Sequence, residues 1–96
     1  MTIHGTARFT VREGELETCL EAIRTFVAHT RTEPATLRYE SWRSLDRPAE
    51  FLHLMAFVDE EAEAAHASSD AVKAFTDVLY PRCEREPRFE RWELVD

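Results

Sequence analysis

The chain has no asparagine and no glutamine among its 96 residues, and only two glycines, Gly5 and Gly14. Without asparagine and glutamine, no side-chain carboxamide is available to bind or orient a ligand. Two isolated glycines cannot form a glycine-rich loop that holds phosphate groups. A nucleotide cofactor is therefore not expected.

Positive charge and long apolar runs are also scarce. The formal net charge is −7, which excludes a typical surface for nucleic acid or for an anionic membrane. The start of the chain does not resemble a signal peptide, and no apolar run approaches the roughly 20 residues that span a bilayer. We expect one cytoplasmic domain over residues 1–96. Its preference for arginine over lysine is typical of a GC-rich bacterial genome.

Cysteine is nearly as scarce, with Cys19 and Cys83 far apart and in no paired motif. We interpret both as reduced thiols of a cytosolic protein. No His, Cys, Asp and Glu residues have the spacing of a metal site. The sequence thus predicts neither a metal nor another cofactor.

Hydrophobic periodicity predicts the elements in the order βαββαβ. Strands are predicted over 3–11, 36–44, 51–58 and 88–95, and helices over 15–31 and from 59 to about 79. Asp59 is a suitable helix cap, and Ser68-Ser69-Asp70 indicates a kink or a restart within the second helix.

This order predicts an α+β fold, a ferredoxin-like sandwich with a four-stranded antiparallel sheet and both helices on one face. The third predicted strand, "FLHLMAFV", is apolar at nearly every position, which favours burial on both faces. The chain has no further segment to cover the second face. A second copy of the chain is therefore the expected cover, and a homodimer the expected assembly.

Helical spacing places Ala62, Ala65, His66 and Ser69 on the inward face of the second helix. All except His66 are small, so the helix either leaves a hollow there or packs very close to the sheet. In a hollow, His66 would lie in the wall of a small-molecule pocket. In the tightly packed alternative, His66 would bond a backbone carbonyl or a carboxylate.

Other side chains are weaker candidates for the same pocket. His53 lies in the third strand, where it could reach the pocket or pair across the sheet. Aromatic residues that could form a pocket wall, or simply the core, are Tyr39, Trp42, Phe57, Tyr80 and Trp92. We expect His4 near solvent or the subunit boundary, and His29 in a structural role near a helix C-terminus.

The stretch "YESWRSLDRPAEFLHLMAFVDEEAEAAHASSDAVKAF" resembles the antibiotic biosynthesis monooxygenase family of dimeric α+β barrels. The resemblance rests on a tyrosine-bearing strand, a turn, a strand that begins with Phe, and an acidic helix with one histidine before Ala-Ser and an aromatic. The matching positions are Tyr39, Arg43-Ser44, Asp46, Pro48, Phe51, His66, Ala67-Ser68 and Phe75. Members usually carry Glu and Trp at the positions of Met55 and Phe57, and the described activities also use an Asn, which this chain lacks.

The resemblance implies a cofactor-independent monooxygenase that acts on a small aromatic or quinol-type substrate. On this hypothesis His66 is the base and His53 a second donor, while Tyr39, Phe57, Trp92 and Ala62 contact the substrate. The alternative is a non-catalytic dimer of the same fold that binds a small ligand or is purely structural. Haem binding through His66 is a third possibility, and we predict that haem does not bind specifically.

Overall fold

The structure is a computed structural model that describes all residues from Met1 to Asp96. The strands are β1 (Ile3–Thr10), β2 (Thr36–Arg43), β3 (Glu50–Phe57) and β4 (Arg88–Trp92). The helices are α1 (Leu16–Thr30), α2 (Glu60–Ala67) and α3 (Asp70–Leu79), and one turn of 3₁₀ helix, Tyr80–Arg82, follows α3. The predicted order is confirmed, with the second helix divided into α2 and α3.

The four strands form a single antiparallel sheet in the order β2-β3-β1-β4. The central strands β1 and β3 pair along their whole length, from Ile3 opposite Phe57 to Thr10 opposite Glu50. β2 joins β3 at one edge, and β4 joins β1 at the other. The predicted ferredoxin-like α+β fold is therefore confirmed.

The helices pack on one face of this sheet and enclose the core. Because side chains alternate along a strand, Phe9, Phe51 and Tyr39 all point toward the helices. They meet Ile23 and Phe26 of α1 in the main cluster of buried side chains. Burying each such side chain contributes roughly 1.5–3 kcal/mol of hydrophobic free energy, which fixes the helices on this face.

No helix covers the opposite face, which we call the open face. The strand registers place on it Thr6, Trp42, Leu52, Leu54, Ala56 and Trp92. Trp42 and Trp92 are each 55% exposed, whereas the leucines of the central strand are half-buried. The apolar run of β3 thus has one face in the core and the other on this open surface.

Local capping explains why the second helical segment divides. The Asp59 carboxylate accepts a hydrogen bond from the Ala62 amide (2.8 Å) at the start of α2. The Ser69 hydroxyl accepts one from the Val72 amide (3.2 Å) and starts α3. Each cap satisfies a backbone donor that has no partner within its helix, so the predicted restart at Ser69 is confirmed.

Every strand ends before its predicted last residue, by one residue in β1, β2 and β3 and by three in β4, and β3 also begins one residue earlier, at Glu50. β4 ends at Trp92 rather than at Val95, because Leu94 and Val95 are exposed and have no strand beside them. β1 ends at Thr10, and Val11 instead forms an isolated bridge with Cys83. Alternating hydrophobicity extends past both ends, but a strand continues only as far as its hydrogen-bonding neighbour.

Candidate functional site

A cavity of about 340 Å³ lies between the helices and the sheet. This volume is within the range of small-molecule sites, about 300–1,000 Å³. Most of its wall is apolar, and its aromatic members are Phe9, Phe26, Tyr39, Phe57, Phe75, Tyr80 and Phe89. The polar groups in the wall include two histidines, His53 and His66, and one carboxylate, Glu63.

His53 is almost completely buried in this wall, at 1% exposure. Its Nδ1 lies 2.8 Å from the hydroxyl oxygen of Tyr39, which is also buried. Its ring lies edge-on to Phe9 and stacks beside Phe75. Burial among these rings lowers the pKa of His53 to about 4, so the imidazole is neutral near pH 7.

The hydrogen bond between Tyr39 and His53 selects one tautomer of the histidine. Burial raises the pKa of Tyr39, so its hydroxyl stays protonated. Its proton has no other acceptor in the chain, and a buried hydroxyl without an acceptor is costly. Tyr39 therefore donates to Nδ1, and the proton of His53 is on Nε2. That nitrogen is buried and has no partner, which leaves a donor for a ligand oxygen.

His66 lies in the same wall, with its side chain 10% exposed. Its Nδ1 is 2.9 Å from Oε1 of Glu33, a residue of the loop between α1 and β2. The same carboxylate oxygen accepts a hydrogen bond from the hydroxyl of Thr36 (2.9 Å). The His66 ring also packs against Phe57, Tyr39 and Phe26, at centroid distances of 5.0, 5.7 and 5.8 Å.

The carboxylate of Glu33 can only accept a hydrogen bond, so the Nδ1 of His66 carries a proton. In the neutral ring the lone pair is then on Nε2, which makes no hydrogen bond within the chain. A carboxylate that holds imidazole in this tautomer is a common arrangement for a histidine base. The cavity thus offers a proton acceptor, Nε2 of His66, and a hydrogen-bond donor, Nε2–H of His53.

Tyr39 lies between the two histidines. Its ring centroid is 5.4 Å from that of His53 and 5.7 Å from that of His66. A ligand in contact with the Tyr39 ring would therefore be close to both imidazoles. His66 combines features of the two alternatives from the sequence. It lines a cavity, as expected for a hollow, and it bonds a carboxylate, as expected for close packing.

Four of the residues predicted at the site lie in the cavity wall: His66, His53, Tyr39 and Phe57. Trp92 does not, because it pairs with His4 on the open face and its Nε1 donates to the Thr6 hydroxyl (2.9 Å). The expectation that Trp92 lies in the pocket wall is therefore wrong. Period-2 alternation places Phe89 in the wall instead.

The inward face of α2 agrees with the prediction in part, since Ala62, His66 and Ser69 are half-buried. Ala62 does not line the cavity, and Ala65 is exposed. Glu63 and Ala67 lie in the wall together with His66. His66 and Ala67 follow Glu63 by three and four residues, the spacing of one helix face. The prediction did not include Glu63, whose carboxylate pairs with Arg91 of β4.

Glu33, the partner of His66, is a residue of the site that the sequence does not predict. The two residues are 33 positions apart, and Glu33 lies in a loop without periodicity. The only available signal was its place before Pro34, at the end of a predicted helix. That signal indicates a chain reversal and carries no information about which side chain the loop meets.

The remaining histidines and cysteines lie outside the cavity. His4 is on the open face, and His29 is exposed near the end of α1. Cys19 and Cys83 are free and buried in the core, and burial raises the pKa of Cys83 to about 11. No group of three or more His, Cys, Asp or Glu side chains could hold a metal ion. None of the helices has the length and apolar character to cross a membrane.

Residues 2–78 match the model of the family described as antibiotic biosynthesis monooxygenase. The chain belongs to this family. The match begins before β1 and extends nearly to the end of α3, so it includes every residue of the cavity wall except Leu79, Tyr80, Pro87 and Phe89. No curated protein matches the sequence.

Solved structures show the same fold over nearly the whole chain. One described as an antibiotic biosynthesis monooxygenase has a TM-score of 0.94 at 17% identity, covering 98% of this chain and 99% of the other. A protein from Shewanella oneidensis has 29% identity and a TM-score of 0.86, covering 95% and 88%. A conserved protein from Methanosarcina mazei has 18% identity and a TM-score of 0.91, covering 97% and 92%.

Proposed function

We propose that this family member is a cofactor-independent monooxygenase that acts on a small aromatic or quinol-type substrate. The observation that carries the proposal is the pair of histidines in one apolar cavity, one with a free acceptor and one with a free donor. An aromatic substrate fits a wall made largely of aromatic rings. The two nitrogens would hold its acidic proton and its oxygen atom in defined positions.

In the proposed reaction, Nε2 of His66 removes a proton from an activated carbon of the substrate. The resulting carbanion is delocalised onto a neighbouring oxygen, which accepts a hydrogen bond from Nε2–H of His53. The carbanion gives its electrons to O₂, and a C–O bond forms to a peroxide. Loss of the second proton of that carbon and cleavage of the O–O bond leave a carbonyl and one water. A CH₂ group and O₂ thus become C=O and H₂O, with the substrate supplying all the electrons.

The other wall residues have supporting roles in this proposal. Glu33 stabilises the imidazolium that forms when His66 takes the proton, because the carboxylate is 2.9 Å from Nδ1. Tyr39 donates its hydroxyl proton to Nδ1 of His53, so the N–H of His53 is on Nε2, the nitrogen without a partner in the chain. Tyr39 and Phe57 also provide flat apolar surface for the substrate ring.

The proposal includes a homodimer in the cytoplasm. The open face leaves two tryptophans and the outer leucines of β3 in contact with solvent in a single chain. A second copy facing it would bury these side chains and remove the exposed apolar surface. The two free cysteines fit a reducing compartment.

A direct test uses dithranol, a hydroxylated anthrone with an activated CH₂ group, under ¹⁸O₂. We expect the protein to accelerate quinone formation above the uncatalysed rate, with one ¹⁸O atom in the product and the other in water. His66→Phe should lower kcat/KM by about 100-fold or more, since it removes the base. His29→Phe is the matched control, because His29 is exposed and lies outside the cavity.

The same experiment separates the proposal from the alternative of a ligand-binding protein without catalysis. Dithranol that binds in a His66-dependent manner but reacts no faster than in buffer would support the alternative. Equal rates for the wild type and His66→Phe would remove His66 from the role of base. A quinone product that contains no ¹⁸O would contradict oxygenation by O₂.

A further inference from the structure

The cavity wall contains a carboxylate, Glu63, but no lysine and no arginine. The other titratable side chains in the wall are two histidines and two tyrosines. His53 is neutral because it is buried, and the nearest charge to His66 is the carboxylate of Glu33. A bound ligand therefore meets one carboxylate in the wall, Glu63, with a second, Glu33, behind the His66 ring, and no lysine or arginine in the wall.

The carboxylate of Glu63 is held in the wall by Arg91 of β4. The Nε of Arg91 is 3.2 Å from one oxygen of Glu63, and its terminal nitrogen is 3.0 Å from the other. The same terminal nitrogen also lies 3.2 Å from the carboxylate of Glu60, one helical turn earlier. The guanidinium of Arg91 is thus shared between two carboxylates, and these three side chains together keep a net negative charge.

An anionic ligand would lose its hydration in this cavity without gaining a cationic partner. Burying an unpaired carboxylate costs several kcal/mol, and Glu63 and Glu33 would add repulsion. An uncharged ligand avoids both costs. The anion proposed as a reaction intermediate differs from an anionic ligand, because it forms together with the positive charge on His66.

We infer that Glu63 is a specificity-determining residue, which restricts the cavity to uncharged aromatic ligands and excludes aromatic carboxylates. The unpartnered Nε2 of the buried His53 marks where such a ligand would place its oxygen atom. This inference rests on the proposed function only in taking the cavity as an aromatic-binding site. It concerns which ligands enter and does not depend on the chemistry that follows.

The test compares 2-naphthamide with 2-naphthoate, which have almost the same shape but differ by one negative charge. Binding to the whole protein would be measured by calorimetry near neutral pH. We expect the amide to bind at least about tenfold more tightly than the carboxylate. In Glu63→Gln, which keeps the size of the side chain, this ratio should fall at least about threefold through tighter binding of the carboxylate.

Glu61→Gln is the matched control, because Glu61 is exposed on the same helix and does not line the cavity. It should leave the ratio unchanged. Equal affinities, or tighter binding of the carboxylate, would overturn the selection while leaving an aromatic site in place. A ratio unaffected by Glu63→Gln would remove Glu63 from this role. Failure of both probes to bind would overturn the ligand cavity itself and the selection with it.

Discussion

His53 is a buried neutral histidine, and this state makes stability depend on pH. Its pKa is about 4 in the folded protein and 6.5 in the reference state. Between these values the unfolded chain binds more protons than the folded one, so stability rises with pH. The contribution is complete above pH 6.5 and is lost as the pH falls toward 4. It is of the order of 3 kcal/mol from the size of the shift.

Urea unfolding of the wild type and of His53→Gln across this pH range isolates the contribution. Carboxylates that titrate in the same range affect both proteins alike, so the difference between the two curves reports His53. We expect the wild type to lose more stability than the variant as the pH falls from 6.5 to 4. Parallel curves would show that the His53 ring is hydrated and that burial does not keep it neutral.

His66 gives a second prediction at this scale. His66→Ala should lower the free energy of unfolding by about 1 kcal/mol, because Glu33 keeps its bond to Thr36 and stays accessible to water. The Glu33 side chain is 23% exposed, so its carboxylate does not become an unpaired buried charge. A loss of about 2 kcal/mol or more in urea unfolding would instead identify His66 as an obligatory core residue.

The residues of the site differ in how far the sequence could predict them. Helical spacing predicts the inward position of His66, whereas alternation does not decide which face of the sheet His53 occupies, because its strand is apolar at nearly every position. The hydrogen bonds of the two histidines are not predicted by either pattern, since each depends on a tertiary contact: the register between β2 and β3 for His53, and a loop for His66. Sequence periodicity, where it is clear, identifies which face a side chain occupies, but not which neighbour it meets.

Among the three α-helices, α2 is the least anchored. None of its residues is buried, and the side-chain ties that hold it are His66 to Glu33 and the pairs of Glu60 and Glu63 with Arg91. Elements with few buried apolar contacts open locally at low free energy. We therefore expect the amides of α2 to exchange hydrogen faster than those of α1, whose inward face is buried in the core.

Removing the ion pairs between Arg91 of β4 and α2 should increase the difference in amide exchange between α2 and α1. In Arg91→Ala we expect exchange of the α2 amides to rise by roughly two- to fivefold, since exposed ion pairs stabilise only weakly. Lys73→Ala is the control, because it breaks a comparable exposed pair with Asp77 within α3. Mass spectrometry would measure the hydrogen exchange of the α2 amides in both variants. Unchanged exchange in Arg91→Ala would show that β4 does not hold α2.

The same weak anchoring explains why α2 was the element predicted least well. Its boundaries are encoded locally by Asp59 and Ser69; the sequence predicts the first cap directly and the second only as a restart within Ser68-Ser69-Asp70. Its orientation is set partly by polar contacts to distant residues, so helical spacing predicted the inward position of His66 but not that of Glu63 in the cavity wall. By contrast, α1 has an apolar stripe at helical spacing, and its members Cys19, Ile23 and Phe26 are all buried.

The two faces of the sheet determine the expected behaviour of the whole molecule. The cavity and the core lie on the helix side, and the open face carries the outer leucines of β3 and one tryptophan on each edge strand, with polar residues of β1 such as Thr6 between them. A stable interface needs about 800 Å² from each partner. A flat sheet face with two tryptophans at opposite edges and leucines between them offers surface of the required kind.

We therefore expect a homodimer in light scattering, with twice the 11.2 kDa mass of the chain. Leu54→Arg should shift the mass toward that of the monomer, because Leu54 lies on the open face in a central strand and the interface would then have to bury an additional charged side chain. Leu45→Arg is the matched control, since Leu45 is 98% exposed in the turn between β2 and β3. Circular dichroism spectra like that of the wild type would show that both variants fold. A monomeric wild type at micromolar concentration would contradict the dimer, and a dimer that persists in Leu54→Arg would place the interface on another surface.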